Sequence, residues 1–115
     1  MRRGEIRLVN FDPIRGSQAA KRRPAVVVSN DGANTAASSS GAGVVTVVPL
    51  TSNVTTVHDF QVLILASESM LSVDSKAQAE QVRAVAVQRM GVAVGTLGPA
   101  TMRKLDTALR IHLNI

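Results

Sequence analysis

Two apolar stretches decide the fold of this chain: Ala25-Val26-Val27-Val28 and Val44-Val45-Thr46-Val47-Val48-Pro49-Leu50. Both are short and rich in β-branched residues, which is typical of buried strands rather than helices. The same reasoning, together with alternation of apolar and polar residues, predicts further strands elsewhere. These are expected at residues 6–9, 60–65, 79–87 and 92–94.

The segments between these strands carry loop and helix signals. Residues 12–24 predict a polar loop, and residues 30–43, rich in Ala, Ser and Gly, predict a long connection with at most one helical turn. Gly98-Pro99 predicts the start of a C-terminal helix, with Met102, Leu105 and Leu109 on one face. The prediction is one domain, residues 1–115, built as a small β-rich barrel or curled sheet with a closing helix.

Composition excludes several classes of protein. The chain has 115 residues, 45% of them hydrophobic and none of them cysteine, so disulfide scaffolds, Cys-ligated metal sites and thiol nucleophiles are ruled out. The longest apolar run, Val62–Ala66, is far shorter than a membrane span, and Met1-Arg2-Arg3 is not followed by the apolar stretch of a signal peptide. We therefore expect a cytoplasmic protein without a membrane partner.

Positive charge is concentrated near the N-terminus. Residues 1–24 contain seven Arg and Lys side chains and two acidic ones, whereas residues 25–115 contain six of each. The whole net charge of +5 therefore lies in the first fifth of the chain. Such a concentration favours a polyanionic partner, either a nucleic acid or an acidic protein tail, but the charge alone is equally compatible with a basic surface that has no such partner.

The residue types available limit the chemistry. Only His58 and His112 are present as histidines, His112 lies on the predicted terminal helix, and no metal-ligand, nucleotide-loop or serine-hydrolase motif occurs. We expect no metal and no cofactor. RNA supplies its own nucleophile, the 2′-OH, so a ribonuclease needs mainly cationic donors for the phosphoryl oxygens, a role that arginine suits.

The scarcity of aromatic residues narrows the mode of binding. Phe11 and Phe60 are the only aromatic side chains apart from the histidines. Modules that stack several bases on exposed rings cannot be built from them. Single-stranded RNA would have to be held by phosphate contacts, hydrogen bonds and guanidinium stacking.

Several blocks of the chain resemble the MazF/PemK family in order and spacing. The resemblance runs from residue 3 to about residue 113. The blocks are Arg3-Gly4-Glu5-Ile6, Phe11-Asp12-Pro13, Arg15-Gly16-Ser17-Gln18, Arg23–Asn30, Val45–Ser52, Ala79-Glu80-Gln81-Val82-Arg83 and Leu105–Arg110.

This resemblance implies a toxin of a type II toxin–antitoxin pair that cleaves single-stranded RNA at specific sequences, without metal, through the substrate 2′-OH. The implied fold is an SH3-like β-barrel with short helices, dimeric, with RNA-binding grooves at the dimer interface. The implied protein partner is a MazE-like antitoxin whose extended, largely acidic segment blocks the groove.

The resemblance also implies site residues. The family's catalytic arginine matches Arg23 and its catalytic threonine matches Thr51. The RNA-contacting set expected beside them comprises Arg15, Ser17, Gln18, Lys21, Ser52, Asn53, Gln78, Glu80 and Gln81. Gln18 stands where many relatives have a carboxylate, and Gln78 stands where some have an arginine. Glu80 keeps an acid that could serve as a base, accept a hydrogen bond from a base edge, or pair with Arg83 or another cation.

Two other functions are compatible with the residues. The first is a non-enzymatic toxin of the CcdB type that binds a topoisomerase, since one barrel fold hosts unrelated functions. The second is an RNA-binding module without catalysis, which the charge alone would support.

Overall fold

The computed structural model describes residues 1–11 and 22–115. Within these residues, seven strands and three α-helices follow one another. They are β1 (Glu5–Asn10), β2 (Arg22–Val27), α1 (Asp31–Ser40), β3 (Val44–Thr51), β4 (Gln61–Ile64), α2 (Ala66–Ser69), β5 (Ser75–Gln78), β6 (Arg83–Ala86), β7 (Met90–Thr96) and α3 (Pro99–Leu113).

The strands form one antiparallel sheet with the order β4-β5-β3-β2-β1-β7, and β6 pairs with β3 as well. Within the described residues β4 and β7 do not pair with each other, so the sheet stays open and is barrel-like only in outline. The β-rich fold with a C-terminal helix is thus confirmed.

Each face of the sheet carries its own apolar cluster. One cluster centres on Ile6, Val26, Val48 and Ile64 and includes Leu105 of α3. The other contains Val9, Ala25, Val45, Val47 and Val85 and includes Ala37 of α1. Because successive side chains of a strand point to opposite faces, the continuous apolar runs of β2 and β3 contribute residues to both clusters.

The helix α1 corrects the prediction of a long connection over residues 30–43. The side chain of Asn30 accepts a hydrogen bond from the N–H of Ala33 at 2.8 Å, and Gly41 ends the helix at φ 67°. Asn34 is fully buried and its Nδ2 donates to the carbonyl of Ser29 at 2.8 Å. The Ala/Ser/Gly composition hid this helix because its stability comes from capping and a few buried contacts rather than from an apolar stripe.

The predicted strand over residues 79–87 is also wrong in detail. Val47 of β3 pairs with Val27 on one edge and with Arg83 on the other, so β5 and β6 share the edge of β3 opposite β2. A 3₁₀ turn, Ala79–Gln81, interrupts that edge. The sequence of residues 79–87 alternates as a strand does, but Ala79–Gln81 form a turn and do not pair with β3. Strand β5, which precedes this turn, was not predicted.

Residues 22–24, which were predicted to lie in a loop over residues 12–24, belong to a strand. Strand β2 starts at Arg22, so Arg23 and Pro24 belong to the strand, where Pro24 pairs with Leu8 and Arg23 with Val9. Residues 12–21 lie outside the described part of the chain.

Candidate active site

A groove of about 590 Å³ opens where β2 and β3 separate. Five predicted site residues line it: Arg23, Thr51, Ser52, Gln78 and Gln81. Its lining also includes Phe11, Val73, Ser75 and Arg83, which were not predicted as site residues. Side chains distant in sequence thus meet along one depression.

The groove exists because the β2–β3 ladder stops. Ala25 and Pro49 form its last pair, and Pro49 has no N–H with which to continue the hydrogen bonding. Beyond Pro49, β3 pairs among the described strands with β5, which lies on the edge of β3 away from β2. Arg23 and Thr51 each lie two residues past the last pair, on the same face as Ala25 and Pro49.

Thr51 presents a hydroxyl group at the edge of this groove. The residue is half-buried, and its Oγ1 accepts a hydrogen bond from the N–H of Asn53 at 3.2 Å. The hydroxyl proton is therefore available for a second acceptor. Asn53 itself is exposed, its Oδ1 accepts from the N–H of Thr55 at 3.3 Å, and it does not line the groove.

Arg23 differs from other N-terminal cations in its partners. Arg3 pairs with Asp106 at 2.7 Å, and Arg7 pairs with Glu5 at 2.8 Å. Within the described residues, no carboxylate lies within ion-pairing distance of the exposed guanidinium of Arg23. Arg3 and Arg7 therefore serve the fold, whereas Arg23 offers its donors to the groove.

A second guanidinium lines the groove. Arg83 of β6 lies over the ring of Phe11, with its Cζ 4.9 Å from the ring centroid, in a cation–π contact. Sequence reasoning missed both residues as site residues. The signal was present, because both occur in the blocks that carry the family resemblance.

Glu80 does not line the groove. Its Oε2 accepts a hydrogen bond from Nε2 of the buried Gln61 at 2.7 Å, and Oε1 is buried without a partner among the described residues. Oε1 of Gln61 in turn accepts from the N–H of His58 at 3.1 Å. Glu80 thus supports the loop before β4, and the suggested pairing with Arg83 is not formed.

Arg15, Ser17, Gln18 and Lys21 lie outside the described residues. His58 stacks on Phe60 with ring centroids 5.1 Å apart.

Neither a metal-binding cluster nor a membrane-spanning helix is found among the described residues. In residues 1–11 and 22–115, no three His, Cys, Asp or Glu side chains gather closely enough to hold a metal ion. None of the helices described is long and apolar enough to cross a bilayer.

Known proteins are similar to this chain in sequence and in fold. Over 115 residues the chain is 53% identical to the endoribonuclease MazF9 of Mycobacterium tuberculosis, covering 100% of this chain and 98% of that protein. A mycobacterial endoribonuclease solved with its cognate antitoxin superposes with a TM-score of 0.76 at 23% identity, covering 100% of this chain and 96% of the other.

A third relative and a family model agree with these two. A MazE–MazF complex from Deinococcus radiodurans superposes with a TM-score of 0.74 at 21% identity, covering 100% of this chain and 97% of the other. The model of the PemK-like, MazF-like toxins of type II toxin–antitoxin systems matches residues 2–113. The chain therefore belongs to this family of toxins.

Proposed function

We propose that this toxin is a metal-independent endoribonuclease that cleaves single-stranded RNA, with Arg23 and Thr51 as its catalytic residues. The observation that carries the proposal is the placement of both side chains on one face of an open groove, two residues past the end of the β2–β3 ladder. A full-length relative at 53% identity is an endoribonuclease, which supports the same activity here.

The reaction uses the 2′-OH next to the scissile phosphate as the nucleophile. Its oxygen forms a bond to phosphorus while the bond to the 5′-oxygen of the next nucleotide breaks, leaving a 2′,3′-cyclic phosphate and a 5′-OH. The proton lost by the 2′-OH and the proton gained by the leaving oxygen balance. No electron transfer and no metal-bound water are needed.

Arg23 stabilises the charge that develops on the phosphoryl oxygens. Its planar guanidinium can donate two parallel hydrogen bonds to a phosphate, and its permanent charge suits an anionic transition state. Arginine is a poor proton carrier, because its guanidinium is not deprotonated in proteins. Thr51, whose Oγ1 already accepts from Asn53, donates its hydroxyl proton to the phosphate or relays a proton.

Recognition of the RNA falls to the walls of the groove. Ser52, Gln78 and Gln81 offer hydroxyl and amide groups that can bond to base edges, and Arg83 adds a second cation. Arg15, Ser17, Gln18 and Lys21 are proposed to extend the RNA contacts from the preceding segment, and Asn53 to contribute from the exposed loop.

A basic groove that binds RNA also suits an acidic, extended protein segment. Two of the related structures contain an antitoxin, and a MazE-like antitoxin is proposed as the partner of this chain. The toxin acts as a homodimer of the single domain 1–115, in the cytoplasm, where cellular RNA is available.

The test is cleavage of a defined single-stranded RNA by purified protein in excess EDTA, with Arg23→Ala purified in parallel to reveal contaminating ribonuclease. We expect a 5′-OH and a cyclic phosphate at each cut. A single 2′-deoxy nucleotide at the cut site should abolish cleavage. Inhibition by EDTA, or cleavage of the deoxy substrate, would contradict the mechanism. Binding to a topoisomerase without RNA cleavage would favour a CcdB-type toxin instead.

A further inference from the structure

Lys76 is a buried cation next to Thr51 that the proposed chemistry does not use. It lies on β5 in direct register with Thr51 of β3 and with Leu63 of β4. Directly opposed residues of an antiparallel pair project to the same face with their Cβ atoms about 5 Å apart. The Lys76 side chain therefore starts beside Thr51, on the face that holds the groove.

The ammonium group of Lys76 ends under a loop rather than in solvent. The residue is only 9% exposed, and its Nζ donates to the backbone carbonyl of Thr56 at 2.5 Å. In the described part of the chain, no carboxylate lies within ion-pairing distance of it. Burying an ammonium without a counter-ion costs stability, so packing alone does not account for a lysine here.

The loop that Lys76 contacts is the one that leaves the active site. It comprises residues 52–60, between Thr51 at the end of β3 and Gln61 at the start of β4. Inside the loop the N–H of Asn53 donates to Thr51 Oγ1, and the N–H of Thr55 donates to Asn53 Oδ1. Thr56, which Lys76 holds, comes directly after this pair of local hydrogen bonds.

The far end of the loop is held separately. Gln61 Oε1 accepts from the N–H of His58, and Glu80 orients the Gln61 amide. The segment from Thr51 to Thr56 is therefore fixed by the strand at one end and by Lys76 at the other. The conformation of this segment determines whether the N–H of Asn53 donates to Thr51 Oγ1. When it does, Oγ1 acts as the acceptor of that hydrogen bond and the hydroxyl proton of Thr51 is free to be donated to another group.

We propose that Lys76 is a positioning residue of the active site, which fixes loop 52–60 through Thr56 and so holds the Thr51 hydroxyl as a hydrogen-bond donor toward the groove. This role rests on the ribonuclease activity and on Thr51 being part of it. Lys76 acts through Thr51 and need not touch the RNA.

The test compares Lys76→Met with Lys104→Met in the full-length protein. Methionine keeps most of the lysine stem but has neither charge nor donor, and it removes the cost of burying an ammonium group without a counter-ion. Lys104 is an exposed lysine on α3 that does not line the groove. Its variant controls for the loss of one positive charge.

Three readouts distinguish positioning from a general structural role. We expect Lys76→Met to lower kcat about tenfold, and by no more than Thr51→Ala does, because the loss is that of one hydrogen bond to a charged group. The Kd for an uncleavable 2′-deoxy oligonucleotide should change less than about threefold, since ground-state binding is retained. Hydrogen exchange at the Asn53 amide, followed by NMR, should become faster in Lys76→Met and stay unchanged in Lys104→Met.

The double variant decides whether Lys76 works through Thr51. In a Thr51→Ala background, Lys76→Met should cause no further loss of kcat. Independent, additive losses would overturn the proposal, as would a Lys76→Met enzyme with wild-type kcat and wild-type exchange at Asn53. Failure of the wild-type protein to cleave RNA would refute the proposed ribonuclease activity. Unchanged hydrogen exchange at the Asn53 amide in Lys76→Met would refute the anchoring of loop 52–60 by Lys76, whatever the activity of the variant.

Discussion

Arg23 of β2 and Thr51 of β3 stand opposite each other, each two residues beyond Ala25 and Pro49, the last pair of their ladder. The same register that joins the two strands therefore places a guanidinium and a hydroxyl across an open groove. The pairing of β2 with β3 thus brings together residues 28 positions apart in sequence, on either side of helix α1.

Replacing Arg23 with alanine should abolish most of the activity. Loss of a donor to the developing oxyanion costs about 2.7–4 kcal/mol, or about 10²–10³ in kcat. Single-turnover cleavage of a fixed RNA measures this loss. Arg22→Ala is the matched control, because Arg22 is exposed, precedes Arg23 on the same strand and does not line the groove. Equal losses in the two variants would mean that overall charge, not the position of Arg23, matters.

Thr51 should matter through its hydroxyl group rather than its bulk. Thr51→Ala removes one hydrogen bond to a charged group, worth about 1.5–3 kcal/mol, so kcat should fall about 10- to 100-fold. Thr51→Ser retains the hydroxyl and should recover most of this activity in the same assay. A serine variant as inactive as the alanine variant would contradict the assignment.

Arg83 should contribute to RNA affinity more than to the rate of cleavage. Its guanidinium is on the wall of the groove, over Phe11, and not in register with the Arg23–Thr51 pair. We expect Arg83→Ala to raise KM with little change in kcat. The slope of log K against log salt, measured with the 2′-deoxy oligonucleotide, should fall by about 0.7, the value for one phosphate contact on a single strand.

Arg103→Ala, on the exposed surface of α3, is the control for Arg83 and should leave the salt slope as it is. If Arg83→Ala lowers kcat as much as Arg23→Ala does, Arg83 belongs to the catalytic group.

Gly95 should tolerate no side chain. A Cβ at this position would collide with the backbone carbonyl oxygen of Ser69 and lie 3.4 Å from Ile6 Cδ1, in the apolar cluster that includes α3. Gly95→Ala is expected to lower the free energy of unfolding by about 1–3 kcal/mol, as overpacking does. Urea unfolding at one protein concentration measures it.

Gly98 offers the comparison for Gly95. A Cβ at Gly98 meets nothing within 4 Å, and the residue caps the start of α3. Gly98→Ala should cost no more than about 1 kcal/mol, the usual loss at a helix N-cap. A Gly95→Ala protein as stable as wild type would show that the Ser69 backbone moves aside.

Sequence patterns predicted best the parts of the fold that bury apolar runs. The strands around Val26 and Val47 and the helix carrying Leu105 follow from composition and period. Helix α1 was not predicted because Asn30 and Gly41 stabilise it by capping and Asn34 by burial. The Ala/Ser/Gly composition of this segment shows no helical pattern of apolar residues.

The site was predicted unevenly for a related reason. Among the described residues, Arg23, Thr51, Ser52, Gln78 and Gln81 were predicted as site residues and line the groove. Glu80 does not line the groove because it lies within the 3₁₀ turn Ala79–Gln81, where the side-chain directions depart from the alternation of a regular strand. Lys76 gave no signal, since its relation to Thr51 depends on the pairing of β3 with a strand that was not predicted.

The interrupted edge formed by β5, the 3₁₀ turn and β6 has a consequence for how this toxin could diversify. Gln78, Gln81 and Arg83 all come from this one segment, whereas Arg23 and Thr51 come from the two strands whose ladder ends at Pro49. Substitutions in the turn can alter the chemistry of the wall without changing the register that holds the proposed catalytic pair. Evolution or design can thus change the proposed RNA-recognition surface while the proposed cleavage residues are inherited unchanged.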